Sequence, residues 1–389
     1  MATKSKSKLE LEDSLATALA DSINKQFKGQ SLKTAFFLEG DADSPSNVTD
    51  WISSGCDTLD LAISNRPYGG FPVGRITEVT GLEASGKSLL VSHVAAETQK
   101  KGGLAVYIDT EAAVSAEFMQ AIGIDLKTML YVPLETVEEI FETIETIVEN
   151  ARKANKDRLV TIIVDSVMGA STKIEMSAEY DKDGYATSKS IILSKAMRKV
   201  TNWIAREKIC LIMTNQLRTK LGVSFGDQWT TSGGKAIPFH ASVRLRLKNT
   251  GMIKAKDANG VEQIVGSKTE VQVVKNRMGP PHRKVNYDIY YDSGIDNYGG
   301  WLETMKKFNI VKQSGAWYTL DDVDIETGQV YGDYKFQSKD FIEKVINNPA
   351  VKDRLYKRIC DVYIFKYQAG VDGGIDDVII TDEIIDEEF

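Results

Sequence analysis

The chain has 389 residues, of which 42% are hydrophobic and 26% are charged, a composition that fits a globular protein and excludes a disordered or collagen-like one. No run approaches the roughly 18 apolar residues of a membrane-spanning helix, and no apolar stretch follows the basic first residues as it would in a signal peptide. The formal net charge of −7 argues against a nucleic-acid partner. However, eight of the 55 acidic residues lie within 372–389, and the rest of the chain has 47 acidic and 48 basic residues. A nearly neutral body of this kind is compatible with a basic groove.

The first predicted element is a helix over residues 10–27, followed by a linker over 28–50 that is rich in Gly, Ser and Asp. Apolar residues recur at every fourth position of this helix and form one stripe: Leu11, Leu15, Leu19, Ile23 and Phe27. A single helix ahead of a linker cannot bury such a stripe alone. It is therefore expected to pack either on its own core or on a neighbouring subunit, and residues 1–50 form an N-terminal region.

Strands and helices alternate from residue 51 onwards. The strand-like runs are ITEV, LAVYID, LVTIIVD and ICLIMTN, and the segment TVEEIFETIETIVENARKAN has the apolar spacing of a helix. Continuously apolar strands that alternate with helices predict an α/β fold with a mostly parallel central sheet covered on both faces.

The pattern changes beyond residue 240. VRLRLKNTG, a KDANG turn, TEVQVVKNR and KVNYDIYYD predict antiparallel hairpin strands, which complete a core over 51–300. Residues 301–371 mix a helix with short strands and predict a small α+β domain. Residues 372–389 form an acidic tail without a basic residue.

The strongest motif is GLEASGKS at residues 81–88, between strand-like RITEVT and helix-like LLVSHVAAETQKK. It fits the phosphate-binding pattern G-x-x-x-x-G-K-[ST], in which backbone N–H groups and the positive end of a helix surround phosphate oxygens. Lys87 is expected at the β and γ phosphates of ATP, and the Ser88 hydroxyl at Mg²⁺. The predicted nucleotide-binding positions here are Gly81, Glu83, Ala84, Ser85, Gly86, Lys87, Ser88 and Leu89.

Two carboxylates follow other apolar strands. Asp165 ends the run IIVD and is expected to contact Mg²⁺ through water. Glu111 comes just after LAVYID, where a carboxylate can orient or deprotonate the attacking water, although a solvated strand end is the alternative.

The cysteines and histidines predict no further chemistry. Cys56, Cys210 and Cys360 are far apart and form no CxxC pair, so neither a metal site nor a disulfide is expected, and a reducing cytoplasm is the natural location. The three histidines are dispersed and are expected to be structural: His93, His240 and His282.

Longer stretches that phosphate chemistry does not require resemble the RecA family of recombinases, which includes the phage-encoded UvsX branch. They are GFPVGRITEVTGLEASGKS, SKAMRKV, TNQLRTKLGVSFGDQWTTSGGKAIPFHASVRL, VVKNRMGPP and YGGWLETMKKFNIVKQSGAWY, together with KQF in the first helix. The similarity runs in register from about residue 10 to about residue 365. It implies a RecA-type P-loop ATPase core, an N-terminal helix that serves subunit polymerisation, and a small C-terminal domain.

The resemblance also implies a function. The protein would form a helical filament on single-stranded DNA, pair it with homologous duplex DNA, exchange strands and hydrolyse ATP with Mg²⁺ in a DNA-stimulated reaction. Its partners would be both DNA forms, further copies of itself, and single-strand-binding and mediator proteins. The alternatives are an ATP-gated scaffold that coats single strands without exchanging them, and a RecA-fold helicase that closes into rings.

Individual residues take roles from the resemblance. At the nucleotide, Glu111 becomes the water activator, Phe118 and Tyr291 contact the adenine, and Gln216 senses the γ-phosphate. At the subunit interface, cations reach the ATP of the neighbouring subunit and aromatic residues couple the neighbours; these residues are Lys275, Arg277, Phe239 and Phe27.

Two loops, over 175–187 and 217–235, are expected to face DNA, because basic side chains and exposed N–H groups contact phosphates without reading sequence. The predicted DNA-binding residues are Arg198, Arg218, Lys220, Gly233, Gly234 and Lys235; for each basic one, the alternative is a solvated surface charge. The first loop has no arginine, Ile191 stands where bacterial members carry a basic residue, and Arg277 replaces a lysine. These departures favour a divergent, phage-encoded member of the family.

Overall fold

The computed structural model describes residues 3–27, 33–37, 44–112, 114–177, 186–219, 229–231, 233–257 and 260–367. The chain divides into two compact units, Met1–Thr49 and Asp50–Phe389. The predicted acidic tail, Lys220 and the middle of each predicted DNA loop lie outside the described residues. Within these ranges, no helix is long and apolar enough to cross a membrane.

The first unit contains helix α1 (Thr3–Gln26) and a segment without regular secondary structure at 33–37. The predicted helix is confirmed, and it begins earlier than its apolar stripe because the Lys, Leu and Glu residues of its first turns are good helix formers. The side-chain carbonyl of Asn24 accepts the N–H groups of Thr34 and Ala35, both at 2.8 Å, and so joins the segment to the helix. The described members of the stripe are exposed: Leu15, Leu19, Ile23 and Phe27.

The second unit contains the strands and helices of an α/β core and a smaller C-terminal part. Its strands are β1 (Trp51–Ile52), β2 (Phe71–Pro72), β3 (Ile76–Gly81), β4 (Leu104–Asp109), β5 (Leu130–Pro133), β6 (Val160–Asp165), β7 (Ile209–Thr219), β8 (Trp229–Thr231), β9 (Val243–Lys256), β10 (Glu262–Asn276), β11 (Lys284–Tyr290), β12 (Gly294–Ile295), β13 (Val311–Ser314), β14 (Trp317–Val323) and β15 (Val330–Gln337). Its helices are α2 (Asp57–Ser64), α3 (Lys87–Lys100), α4 (Ala116–Ala121), α5 (Val137–Ala154), α6 (Lys173–Ser177), α7 (Ala186–Arg206), α8 (Ala236–His240), α9 (Asn297–Lys307) and α10 (Pro349–Tyr363).

A ten-stranded sheet organises the core, with the order β12-β11-β10-β9-β3-β7-β6-β4-β5 and with β8 beside β7. Neighbours from β9 to β5 are parallel, and those from β9 to β12 are antiparallel. The predicted parallel sheet and its antiparallel extension are therefore confirmed. Strand β3 lies in the middle of the sheet, and Gly81 at its end has Gln216 of β7 on one side and Leu247 of β9 on the other.

Alternate side chains of the central strands enter two separate hydrophobic cores. In β6, Ile163 packs in the core formed with α2 and α3, whereas Ile162 and Val164 pack in the core formed with α5 and α7. Because both faces are covered, these strands are apolar at almost every position, which explains the continuous runs in the sequence. Helix α5 begins with a capping box, in which Thr136 and Glu139 each accept the backbone N–H of the other.

The C-terminal part is a three-stranded antiparallel sheet of β13, β14 and β15, packed with α9 and α10 around a third core. Trp301 of α9 is 1% exposed, and its ring stacks on Tyr356 of α10 with centroids 5.5 Å apart. The Trp301 indole N–H donates to Asp57 of α2 at 2.9 Å. This partly buried hydrogen bond connects α9 of the C-terminal part to the α/β core. The predicted mixed character of the segment is confirmed.

Candidate active site

The loop at residues 81–88 is turned so that its backbone can surround an anion. Gly86 has a φ of 89° and Ala84 a φ of 53°, both in the left-handed region. A side chain at Gly86 would be strained, and its Cβ would lie 2.8 Å from the Cδ1 atom of Ile289. The Ser85 hydroxyl donates to the Leu82 carbonyl at 2.8 Å and closes the loop. The loop and the first turn of α3 therefore fit a chain of phosphates.

Lys87 places its ammonium group at this loop. Its Nζ atom donates to the carbonyl oxygens of Gly81 at 3.2 Å and Leu82 at 2.7 Å. Burial lowers the pKa of Lys87, while the carboxylates of Asp165 and Glu111 act in the opposite direction. The structure thus brings together the lysine and both predicted carboxylates, although the three lie on separate elements.

Asp165 ends β6 directly beside Asp109 of β4. The Tyr107 hydroxyl donates to one oxygen of Asp165 at 2.5 Å, and the Thr214 hydroxyl donates to the other. Burial and the adjacent Asp165 raise the pKa of Tyr107, so its phenol remains a donor. The Asp165 carboxylate is held in one orientation, while the Ser88 hydroxyl is exposed on the first turn of α3. Oxygen groups of this kind suit Mg²⁺.

Glu111 lies beyond the end of β4 and is exposed. Its backbone N–H donates to Asp109 at 2.9 Å, and its carboxylate accepts the Ser166 hydroxyl at 2.7 Å. Ser166 in turn accepts the Gly169 N–H at 3.1 Å and follows Asp165 through a cis peptide bond. The candidate base is therefore held by a residue adjacent to the candidate magnesium ligand, and it remains accessible to water.

Gln216 lies opposite Gly81 in the parallel ladder between β3 and β7. It is half-buried, whereas Arg218, two residues further along β7, is exposed. One continuous strand therefore runs from the edge of the phosphate loop to the predicted second DNA loop. This arrangement fits a residue that senses the nucleotide at one end and affects a DNA contact at the other.

The two predicted adenine contacts lie on different elements. Phe118 is half-buried on α4, where its backbone N–H donates to the Ser115 hydroxyl at 3.3 Å, and it packs against the core that contains α3. Tyr291 follows β11 and is 55% exposed, with its N–H donating to Val265 at 3.0 Å. His93 of α3 accepts the Ile295 N–H at 3.2 Å and so joins α3 to β12.

The structure brings together Lys275, Arg277 and Phe239, three residues predicted to face a neighbouring subunit. The Lys275 Nζ atom donates to the carbonyls of Pro238 at 2.8 Å and Phe239 at 2.9 Å, while the Phe239 ring is 69% exposed. The pKa of Lys275 is lowered to about 8, first by burial and then by the charges of Arg277 and Arg244. Three basic side chains therefore lie close together where β10 ends and β9 begins: Lys275, Arg277 and Arg244.

Several of the predicted DNA-facing residues lie on or beside α7 and α8. Arg198 is exposed on α7, and Lys235 is exposed just before α8. Gly233 and Gly234 have φ values of 86° and 80°. A Cβ at Gly233 would lie 2.8 Å from the sulfur of Met168, so the backbone passes close to the residues that follow β6. The segments 178–185 and 220–228 of the predicted loops lie outside the described residues.

Sequence reasoning missed the side chains that orient the predicted ones. Tyr107, Thr214 and Ser166 hold the two carboxylates, and none of them was assigned a role from the sequence. One signal was present in the sequence: Tyr107 is a polar-tipped residue in the otherwise apolar run LAVYID, next to an acidic strand end. The hydrogen bonds of Thr214 and Ser166 depend on which strands are neighbours.

Comparisons with known proteins identify the family of this chain. The family model described as the RecA N-terminal domain matches residues 13–296. The chain is 36% identical over 366 residues to Protein RecA of Cereibacter sphaeroides, which covers 94% of this chain and 98% of the relative. It is 37% identical over 319 residues to Protein RecA of Paracoccus denitrificans, with 82% and 83% covered. It is 34% identical over 328 residues to Protein RecA of Clostridium acetobutylicum, with 84% and 89% covered.

Proposed function

The chain belongs to the RecA family, and we propose that it is an ATP-dependent recombinase that forms a filament on single-stranded DNA and exchanges homologous strands. One observation carries this function: Gln216 lies beside the phosphate loop on the strand that continues to Arg218 and the predicted DNA loop. Nucleotide and DNA sites on one strand suit an ATPase whose turnover depends on DNA. An ATP-gated scaffold would need to bind ATP and DNA, but it would not need to hydrolyse ATP in response to DNA.

Hydrolysis of ATP would use the residues around the loop. Lys87 neutralises charge at the β and γ phosphates, and Glu111 orients the attacking water and takes its proton. The Ser88 hydroxyl would hold Mg²⁺ directly and Asp165 would hold it through water; when bound, the ion supplies charge neutralisation at the phosphates. Tyr107 and Thr214 keep the Asp165 carboxylate oriented, and Ser166 keeps Glu111 at the water position.

The nucleotide would also join two subunits. Lys275 and Arg277 are proposed to contact the γ-phosphate of the neighbouring subunit, where they would act as cations supplied in trans. Phe239 of α8 would pack on the neighbour, and so would Phe27, which directly follows α1. The exposure of both aromatic rings and the crowding of cations where β10 ends and β9 begins support the proposal.

The adenine and DNA contacts complete the site. Phe118 and Tyr291 are proposed to hold the adenine ring. The phosphates of DNA would meet a set of basic side chains and glycine N–H groups that the loops present: Arg198, Arg218, Lys220, Gly233, Gly234 and Lys235. Such contacts bind DNA of any sequence, as a protein that tests homology by base pairing requires.

Several finer features are part of the same proposal. The domains are residues 1–50 for polymerisation, 51–300 for the ATPase core, 301–371 for the small domain and 372–389 for the acidic tail. The protein would work in the cytoplasm, alongside single-strand-binding and mediator proteins. The arginine-free first loop and Ile191 support its placement as a divergent, phage-branch member; the relatives named above are bacterial.

A strand-exchange reaction tests the function. Circular single-stranded DNA and homologous linear duplex are mixed with the protein, ATP and Mg²⁺, and joint molecules and displaced strands are followed by gel electrophoresis. We expect nicked circular product only with ATP and homologous duplex. Filaments that form on single strands and hydrolyse ATP without producing joint molecules would favour the scaffold, and closed rings in electron micrographs would favour the helicase.

A further inference from the structure

A row of polar side chains crosses four strands of the sheet and ends at Lys275, which is predicted to face a neighbouring subunit. Its centre is Glu78 of β3, which is 0% exposed. In the strand register, Glu78 lies opposite Arg244 of β9, and Arg244 lies opposite Lys275 of β10. On the other side, Asn215 of β7 comes two residues after Met213, the register partner of Glu78. The row therefore extends from Asn215, the residue before Gln216, to Lys275, the predicted trans cation.

Both carboxylate oxygens of Glu78 are engaged. The Asn215 amide donates to Oε1 at 2.9 Å, and the Arg244 Nε–H donates to Oε2 at 2.5 Å. Burial of a carboxylate costs much free energy unless the group is paired and hydrogen-bonded. The partners of Glu78 therefore make this position suitable for a negative charge. Well-packed apolar residues can often replace a buried ion pair without loss of stability, so the pair of Glu78 and Arg244 needs a reason beyond stability.

The reason lies in the charges around Lys275. Arg277 follows it along the chain and Arg244 faces it from β9, and both oppose a charge on Lys275, whereas Glu78 of β3 favours it. On the helical side, His240 of α8 and Arg198 of α7 are two further titratable or basic groups. The pKa of His240 is lowered first by burial and then by the charges of Arg198, Lys275 and Arg277. Glu78 is thus an acidic group that compensates this cluster.

We propose that Glu78 is a positioning residue of the ATPase reaction, whose buried carboxylate balances Arg244 and thereby keeps Lys275 charged for the nucleotide of the neighbouring subunit. The inference rests on the proposed trans role of Lys275. A lysine with a pKa of about 8 carries its charge below that pH and loses it as the pH rises through that value. Neutral Lys275 could not balance a γ-phosphate, so turnover should fall on the alkaline side. Without Glu78, this fall should begin at lower pH.

The test is the pH dependence of kcat/KM for ATP, which reports groups of the free enzyme, at saturating single-stranded DNA and over roughly pH 6.5 to 9.5. Four full-length proteins are compared: wild type, Lys275→Arg, Glu78→Gln and the double variant Glu78→Gln/Arg244→Gln. Thermal melts verify that each is folded; the double variant replaces the ion pair by two amides and keeps a hydrogen-bonding partner for Asn215.

We expect an alkaline decline near pH 8 for wild type, and none over this range for Lys275→Arg, since a guanidinium does not titrate there. Glu78→Gln should move the decline down by about one pH unit, and the double variant should return it close to wild type, because one positive and one negative charge are removed together. A return of the decline to the wild-type pH would show that the shift in Glu78→Gln arises from the lost charge and not from altered packing.

The outcomes distinguish the inference from its premise. If Lys275→Arg abolishes the decline but Glu78→Gln leaves it at the wild-type pH, Glu78 does not act on Lys275 and the inference is wrong while the trans role stands. The inference also fails if the double variant keeps the shifted decline of Glu78→Gln. If Lys275→Arg retains the wild-type decline, the trans assignment of Lys275 itself is wrong.

Discussion

Removal of the Ser166 hydroxyl should weaken catalysis without weakening nucleotide binding. Ser166 donates to Glu111 at 2.7 Å, and its own oxygen is fixed by the Gly169 N–H at 3.1 Å. A hydrogen bond to a charged group contributes about 1.5–3 kcal/mol, and because Glu111 is exposed we take the lower end, which is roughly tenfold in rate. Ser166→Ala should therefore lower the DNA-stimulated kcat about tenfold and leave the KM for ATP nearly unchanged.

A double-mutant cycle makes this prediction specific. In a Glu111→Gln background the base is already lost, so adding Ser166→Ala should change kcat by less than about twofold. The assay is steady-state ATP hydrolysis with saturating single-stranded DNA for all four proteins. A tenfold loss in both backgrounds would show that Ser166 acts independently of Glu111, and the positioning role would be wrong.

Three further changes test other parts of the site. Lys87→Ala should abolish productive ATP binding while the protein stays folded, because it removes the cation from the phosphates; normal turnover by a folded variant would contradict the loop assignment. Glu111→Gln should preserve ATP binding and filament assembly, seen by electron microscopy, while hydrolysis falls roughly 100-fold; joint loss of assembly and turnover would make Glu111 structural. Removal of residues 372–389 should strengthen single-stranded DNA binding, most at low salt, where the Debye length well exceeds about 8 Å; unchanged affinity in fluorescence titrations there would rule out competition between the tail and DNA.

The parts of the site that follow from local sequence were predicted, and those that follow from strand order were not. The loop at 81–88 carries its own pattern, and Asp165 and Glu111 each follow an apolar run, so a single segment identifies each of them. Resemblance supplied Lys275 and Arg277, since nothing local relates them to a loop nearly two hundred residues away. The structure then placed Lys275 with Phe239, which are 36 residues apart in sequence.

The contacts of Glu78 show why the rest could not be predicted. Its partners Asn215 and Arg244 are 137 and 166 residues away, and they meet only because β3 lies between β7 and β9. Periodicity identifies strands and the faces they present, but it does not give the order of strands in a sheet or their register. Tyr107, Thr214 and Ser166 were missed for the same reason, because each contacts a residue that is distant in sequence.

The central claim is that ATP is shared between subunits, and a mixing experiment tests it most directly. The variant Lys275→Ala/Arg277→Ala keeps its own phosphate loop, and Lys87→Ala keeps its own Lys275 and Arg277. Each alone should show little DNA-stimulated ATP hydrolysis. Mixed, they form some interfaces that pair an intact loop with intact trans cations, so hydrolysis should return and rise with the fraction of mixed neighbours. Normal hydrolysis by the Lys275→Ala/Arg277→Ala protein alone, or inactive mixtures of two variants that still assemble together on DNA, would contradict the claim.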